Sequence, residues 1–339
     1  MTDPKSSIGK GSPGAAARNR GMSLLNAMYY LFKPLLPRGF RYTMRRLRAR
    51  HKLLTSKDWP IMESAAQKPP QWAGWPEGKQ FALVLTHDVE GRIGLDRCLK
   101  LAAIETRLGF RSSFNFVPEG EYSVGKTLRD ELAAGGFEIG VHDLRHDGSL
   151  YRSRRGFSAA ALRINGYLKE WGAVGFRAGF MFHNLDWLHD LKIEYDASTF
   201  DTDPFEPQPD GVGTIFPFWV PGRRPDEGYV EMAYTLPQDS TLFLIFRENA
   251  INIWKTKLDW VAAQGGMALL NVHPDYLAFD GDKSRISEFD PGIYEDFLRY
   301  VKLKYAGAYW HALPREVARF CRNQMPRKSN PPPQSKDAK

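Results

Sequence analysis

Cysteine is scarce in this chain. Cys98 and Cys321 are the only two in 339 residues, which excludes a disulfide scaffold and fits a reducing compartment. Cys98 falls in the helix-like stretch GLDRCLKLAAIETRLG and reads as a small buried hydrophobe. No apolar run reaches the roughly 18–20 residues needed to cross a bilayer. Acidic residues are nearly missing from the first 56 positions, where 12 Lys/Arg face Asp3 alone, a charge of +11. The whole chain carries +8, so everything after residue 56 carries −3. The basicity belongs to an arm and not to the body, which argues against a nucleic-acid-binding face. Histidine is also sparse, with eight in all, yet two of them stand four apart in GVHDLRHDG.

What is there describes a folded protein: 42% hydrophobic residues, with 9 Trp, 14 Tyr and 21 Phe, in a chain long enough for one large α/β domain with extensions. Residues 1–21 and 326–339 are rich in Gly, Ser, Pro and charge and are expected to be disordered tails. Residues 22–77 form a basic amphipathic arm. It opens with MSLLNAMYYLFKPLLP, which Lys33, Pro34 and Pro37 break and which no small-residue cleavage site follows, a poor signal peptide. An arginine-rich piece, RGFRYTMRRLRARHK, comes next. Three readings of residues 22–56 stay open: an arm packed on the domain or on a partner subunit; a peripheral membrane contact, with aromatics at the interface and arginines on anionic lipid; and, the weakest, a contact with RNA or DNA.

Residues 78–325 alternate strand-like and helix-like pieces, with FALVLTHD, SSFNFVPE, FEIGVHD, VGFRAGF, IEYDAST and MALLNVHP as the strands. SAAALRINGYLKEWG, LDWLHDLK, WKTKLDWVAAQGG, IYEDFLRYVKLKY and LPREVARFCRN are among the helices. Such alternation predicts a parallel α/β architecture, a barrel or an open sheet. The polar residues fall at the strand ends: His87, Asp88 and Glu90 after the first, His142 and His146 after FEIGV, Arg177 in VGFRAGF, Asp196 in IEYDAST, and His273 after MALLNV. In a parallel barrel those ends open on one face.

Two histidines four apart suit one metal ion, and two imidazoles with one carboxylate form a frequent catalytic zinc site. Asp143 and Asp147 can instead cap turns. Asp88 and Glu90 are two apart, so in extended chain they point the same way, while His87 points to the other face as a packed histidine. Arg177, the one charge in its strand, needs an anionic partner, and Asp88 is the expected one. His273 is a candidate general acid. In the insert TFDTDPFEPQPDGVGTIFPFWVPG (199–222), the aromatics can stack on sugar faces or pack within the loop.

In order along the chain, LTHDVEG, VHDLRH, GFRAGF, IEYDAST and LLNVHP resemble the five motifs of the polysaccharide deacetylase family, the NodB-homology or carbohydrate esterase family 4 group, over about residues 80–275. The resemblance implies a distorted (β/α) barrel of about seven strands. It implies Asp88 as general base, Arg177 holding that base, His273 as general acid, and His142 and His146 as ligands of a divalent metal, most simply Zn2+. Val89 stands where the family has its metal-binding aspartate, and the ligand role passes to Glu90, one residue later. Asp143 replaces a Ser or Thr, and Ala178 and Gly179 replace the Pro and Tyr of the arginine motif.

The expectation is therefore a carbohydrate deacetylase, a hydrolase of non-peptide C–N bonds. It would remove an N-acetyl or other acyl group from an amino sugar of a saccharide or lipid-linked glycan. The expected place is the cytoplasm, with contact at the inner membrane. Two rivals stand beside it: a degenerate glycan-binding or scaffold protein of a polysaccharide biosynthesis system, and an amidohydrolase of a small C–N substrate.

Overall fold

The computed structural model describes residues 38–224, 227–279 and 287–324. The tails 1–21 and 326–339 and the apolar stretch 22–37 lie outside the described residues.

The sheet is laid down by short, almost wholly apolar strands: β1 (Phe81–Val89), β2 (Ser113–Phe116), β3 (Glu138–His142), β4 (Gly175–Arg177) and β5 (Tyr195–Asp196), then β6 (Phe218–Pro221), β7 (Gly228–Glu231), β8 (Met267–Asn271) and β9 (Tyr309–His311). Every residue of β1, β2, β3 and β8 is buried, as expected of strands covered on both faces. The order is β6-β7-β5-β4-β3-β2-β1-β8, all neighbours parallel except the antiparallel β6–β7 pair. One edge of β1 pairs with β8 at Ala82–Thr86; the other is shared by β9 at Phe81–Leu83 and β2 at Thr86–Val89. The sheet curls into a distorted (β/α) barrel, with nine strands in place of the expected seven or so.

Among the described residues no strand ladder joins the two ends of that path. Closure comes from Thr235: its N–H and that of Leu236 donate to the Leu269 carbonyl, both at 3.1 Å. Its hydroxyl donates to Met267 O (2.8 Å) and accepts from Leu269 N (3.1 Å).

Helices α1 (Arg38–Thr55), α2 (Arg92–Leu108), α3 (Lys126–Ala134), α4 (Arg154–Trp171), α5 (Asn252–Gln264), α6 (Pro291–Lys304) and α7 (Pro314–Gln324) surround the sheet. The outward side chains of β1 (Phe81, Leu83, Leu85) share one core with Leu101 of α2, Leu258 of α5 and Phe297 of α6. The inward ones (Ala82, Val84) share another with Met267, Leu269, Tyr234 and, from α7, Val317 and Cys321. Each buried Leu or Phe contributes about 1.5–3 kcal/mol, against roughly 0–1 kcal/mol for an exposed ion pair such as Arg92–Asp96, so the apolar faces decide the fold.

One expectation changes, and one element was not anticipated. LDWLHDLK forms only a 3₁₀ turn, Trp187–Asp190. Arg154 and Ser158 of α4 hold the Asp190 carboxylate, and Asn165 donates to the Asp190 carbonyl, so α4 claims the segment before a helix can propagate. The apolar run STLFLIF, Ser240–Phe246, is a π-helix capped by Asp239.

Candidate metal and catalytic site

Strand alternation sorts the first motif. His87 points outward, where its ring nitrogens meet Val272 O (2.8 Å) and Glu105 (2.9 Å); it is a core histidine, as expected. Asp88 points inward and is buried. Asn115 and Asn271 donate to its two oxygens at 2.9 and 2.8 Å, from β2 and β8 on either side. Arg177 Nη1 approaches both at 3.3 and 3.4 Å and donates to Thr86 Oγ1 at 2.8 Å. Burial alone would raise the Asp88 pKa; the Arg177 guanidinium, then His142, His273 and the Asn115 hydrogen bond, hold it well below the usual carboxylate range.

Arg177 is itself held from β5. Its Nε donates to Ala197 O (2.8 Å), and Ser198 Oγ accepts from Ala178 N (2.8 Å) while donating to Asp196 (2.7 Å). Asp196 thus buttresses the arginine and stands outside the polar cluster.

The two histidines occupy neither one helix face nor one strand. His142 ends β3; Asp143 and His146 have φ of +58° and +53°, so the chain turns twice through the left-handed region and brings the second ring back over the first, with centroids 4.9 Å apart. Asp143 fixes the turn, accepting from Leu144 N (2.6 Å) and Gly179 N (3.2 Å). Asp147 caps the next one through Ser149 N (2.8 Å). Glycine is required at 179, because a Cβ there would stand 2.5 Å from Asp143 Oδ2 and 2.8 Å from His146 Cδ2.

Glu90, His142 and His146 present one ligand atom each, all within 4.8 Å of one another. His142 Nδ1 faces the Arg177 carbonyl at 3.1 Å, so it carries the proton and leaves a lone pair on Nε2. That Nε2 is buried without a hydrogen-bond partner, and so is His146 Nε2, which lies 3.2 Å from Glu90 Oε1. Two orphaned imidazole nitrogens beside a carboxylate are what a divalent cation with N/O ligands requires. Burial lowers the His142 pKa, which favours the neutral, ligating form. Burial works the same way on His146 but is outweighed by Glu90, which raises it, and His146 in turn holds Glu90 well below its ordinary value.

Glu90 depends on a segment almost 190 residues away. Tyr276 donates to its Oε2 (2.6 Å). Asp275 accepts from Glu90 N and Gly91 N (both 2.9 Å) and Gly94 N (3.2 Å), capping α2 from outside the helix. Between these groups stands His273, with Nε2 3.9 Å from Glu90 Oε1. Asp239 grips it twice, by Nδ1 and by the backbone N–H, each at 2.7 Å. Burial would depress this imidazole, but the Asp239 carboxylate, followed by Glu90 and Asp88, lifts it to about 10, so it is a cation at neutral pH.

All six candidate residues, Asp88, Glu90, His142, His146, Arg177 and His273, therefore meet at one mouth. Sequence reasoning missed Asn115, Asn271, Asp239, Asp275 and Tyr276. The two asparagines had a signal, a polar residue facing inward within an apolar strand. Asp239 had none, since it caps a π-helix that periodicity does not reveal. Three aromatics of the insert are taken up by packing: Phe200 and Phe216 are buried, and Phe205 meets Trp59 and Phe246 edge-on at 5.0–5.1 Å.

No family model matches the chain, and no curated protein matches it. A solved structure described as a putative polysaccharide deacetylase from Mycobacterium smegmatis overlays it with a TM-score of 0.55 at 19% identity, covering 79% of this chain and 99% of that one. The chain has the polysaccharide deacetylase fold. Looser overlays are given by the chitin deacetylase from Colletotrichum lindemuthianum (TM-score 0.43, 11% identity, 75% of this chain and 92% of that one) and the peptidoglycan deacetylase PdaC from Bacillus subtilis (0.41, 12%, 74% and 95%). On a deacetylase fold this mouth lies at the C-terminal ends of the parallel strands, where chemistry sits in (β/α) barrels.

Proposed function

We propose that this chain is a divergent member of the deacetylase group in mechanism: a metal-dependent hydrolase that removes an N-acetyl or other acyl group from an amino sugar of a saccharide or lipid-linked glycan. The observation that carries it is the pair of orphaned imidazole nitrogens beside Glu90, with a buried carboxylate and a charged histidine at the same mouth. A divalent cation, zinc in the first instance, held by Glu90, His142 and His146, would supply Lewis-acid polarisation of the acyl carbonyl and a lowered pKa for water. Asp88 takes the proton of the attacking water. Arg177 and the two asparagines keep it ionised and aimed. His273 gives its Nε2 proton to the leaving amine as the C–N bond breaks, and Asp239 holds the imidazole through the exchange. The carboxylic acid and the free amino sugar leave.

One observation favours a second reading, a glycan-binding relative without turnover. Asp88 already accepts from Asn115, Asn271 and Arg177, and a carboxylate so satisfied and so acidic is a weak base. The test is metal content by mass spectrometry together with release of acetate from N-acetylated chito-oligosaccharides. The hydrolase reading expects one ion per chain, lost in Glu90→Ala and in His142→Ala/His146→Ala, and acetate release lost in Asp88→Asn. Wild-type protein that takes up no zinc after incubation with it sinks the mechanism.

A further inference from the structure

Among the described residues, helix α1 meets the body with one face and has its other face uncovered. Ala49 is buried, Arg46 donates from Nε and Nη2 to Leu244 O (3.2 and 2.9 Å), and Lys52 donates to Pro204 O. At about 100° per residue, positions 44, 47, 51 and 54 fall on the side away from Ala49. There Met44 is 53% exposed, Leu47 58% and Leu54 86%, with exposed His51 among them. Arg48 and Arg50 are exposed along the flanks. A single exposed leucine is ordinary, but a stripe of large apolar side chains bordered by guanidiniums is the pattern of a helix that lies in a membrane interface.

We propose that this face docks the protein onto an anionic lipid surface and that the substrate is an amino sugar carried as a lipid headgroup; the second half rests on the deacetylase reading above. Charge selects the occupant. Residues 1–56 carry +11, which complements an anionic bilayer, whereas a second copy of this helix would bring guanidinium against guanidinium. Position links the surface to the chemistry. Helix α1 packs on Ser240–Phe246, and the Asp239 cap of that element holds His273. On its other side Lys52 reaches the loop whose Glu206 accepts from Gln238, the neighbour of Asp239. A docked helix therefore rests on the element whose Asp239 cap holds His273, on the His273 side of the site.

The experiment is cosedimentation of the full chain with phosphatidylcholine vesicles, with and without phosphatidylglycerol. Binding is expected only with the anionic lipid and falls as salt rises. Leu47→Glu/Leu54→Glu is expected to weaken it at least about ten-fold, and Arg48→Gln or Arg50→Gln about five-fold each. These side chains point to solvent, and an unchanged circular-dichroism melt confirms that each variant folds. Equal sedimentation with both lipids, or full binding by the double leucine variant, overturns the proposal. So does a dimer in size-exclusion chromatography that the same variant makes monomeric while vesicles go unbound. Sedimentation needs no turnover: a chain that binds vesicles but deacetylates nothing keeps the surface and removes the enzymatic reading. One that deacetylates soluble amino sugars and ignores vesicles does the reverse.

Discussion

Arg177 serves the candidate site with two different parts. Its guanidinium approaches Asp88, while its carbonyl fixes the His142 tautomer (3.1 Å) and accepts from Asp143 N (2.7 Å). Asp239 shows the same economy, with one oxygen on the His273 ring and the other on its backbone. Asp239→Asn keeps the shape but removes the charge that raises His273. The expected result is a fall in kcat of about 10²–10⁴ with metal content unchanged, read by steady-state kinetics beside mass spectrometry. A variant that lost its metal as well would place Asp239 in the support of Glu90 instead.

At the scale of elements, close approach of backbones sets the geometry. Gly140 lies in the middle of β3, and a Cβ there would stand 2.1 Å from Asn115 Oδ1, the side chain that positions Asp88 from β2. Gly140→Ala must push Asn115 aside. The expected cost is about 1–3 kcal/mol in chemical denaturation, with a larger loss of kcat than any nearby solvent-facing alanine would give. Six of the nine strands were legible because their apolar runs leave few alternatives, and the residues that close them, Asp88, His142 and His273, are conspicuous against that background; β6, β7 and β9, at three or four residues each, were too short to be read. What periodicity does not reveal is the turn between His142 and His146, the 3₁₀ geometry of Trp187–Asp190 and the π-helix after Asp239. Each is decided by tertiary hydrogen bonds: Asp143 to Gly179 N, Arg154 to Asp190, Asp239 to His273. Asp275 was invisible for the same reason, since it caps a helix that begins at residue 92.

Across the whole molecule, Glu138 joins the lower ends of three elements. It accepts from Tyr195 Oη of β5 (2.9 Å) and from Arg315 N at the start of α7 (3.0 Å). Burial pushes its pKa up to about 7, from 4.5. The unfolded chain therefore releases this proton first, and stability falls as pH rises from the unfolded pKa to the folded one. Integrated over that window the loss is about 3 kcal/mol. Glu138→Gln keeps a donor and an acceptor in place and is expected to flatten urea-derived stability between about pH 4.5 and 7; an unaltered slope would assign the pH dependence elsewhere.

The adjacency of β1 and β8 also has a consequence in time. Thr86 pairs with Asn271, and every group that settles Asp88 or Glu90 from the C-terminal side, Asn271, Tyr276 and Asp275, leaves the ribosome after Arg177. At about 5–20 residues per second the delay is roughly 5–20 s. Throughout that interval the nascent chain holds the β8-facing edge of β1 unpaired, without the Asn271 that accompanies Asp88 in the folded protein. The growing polypeptide is most exposed to wrong pairing with a neighbour at the very strand on which its chemistry will later stand.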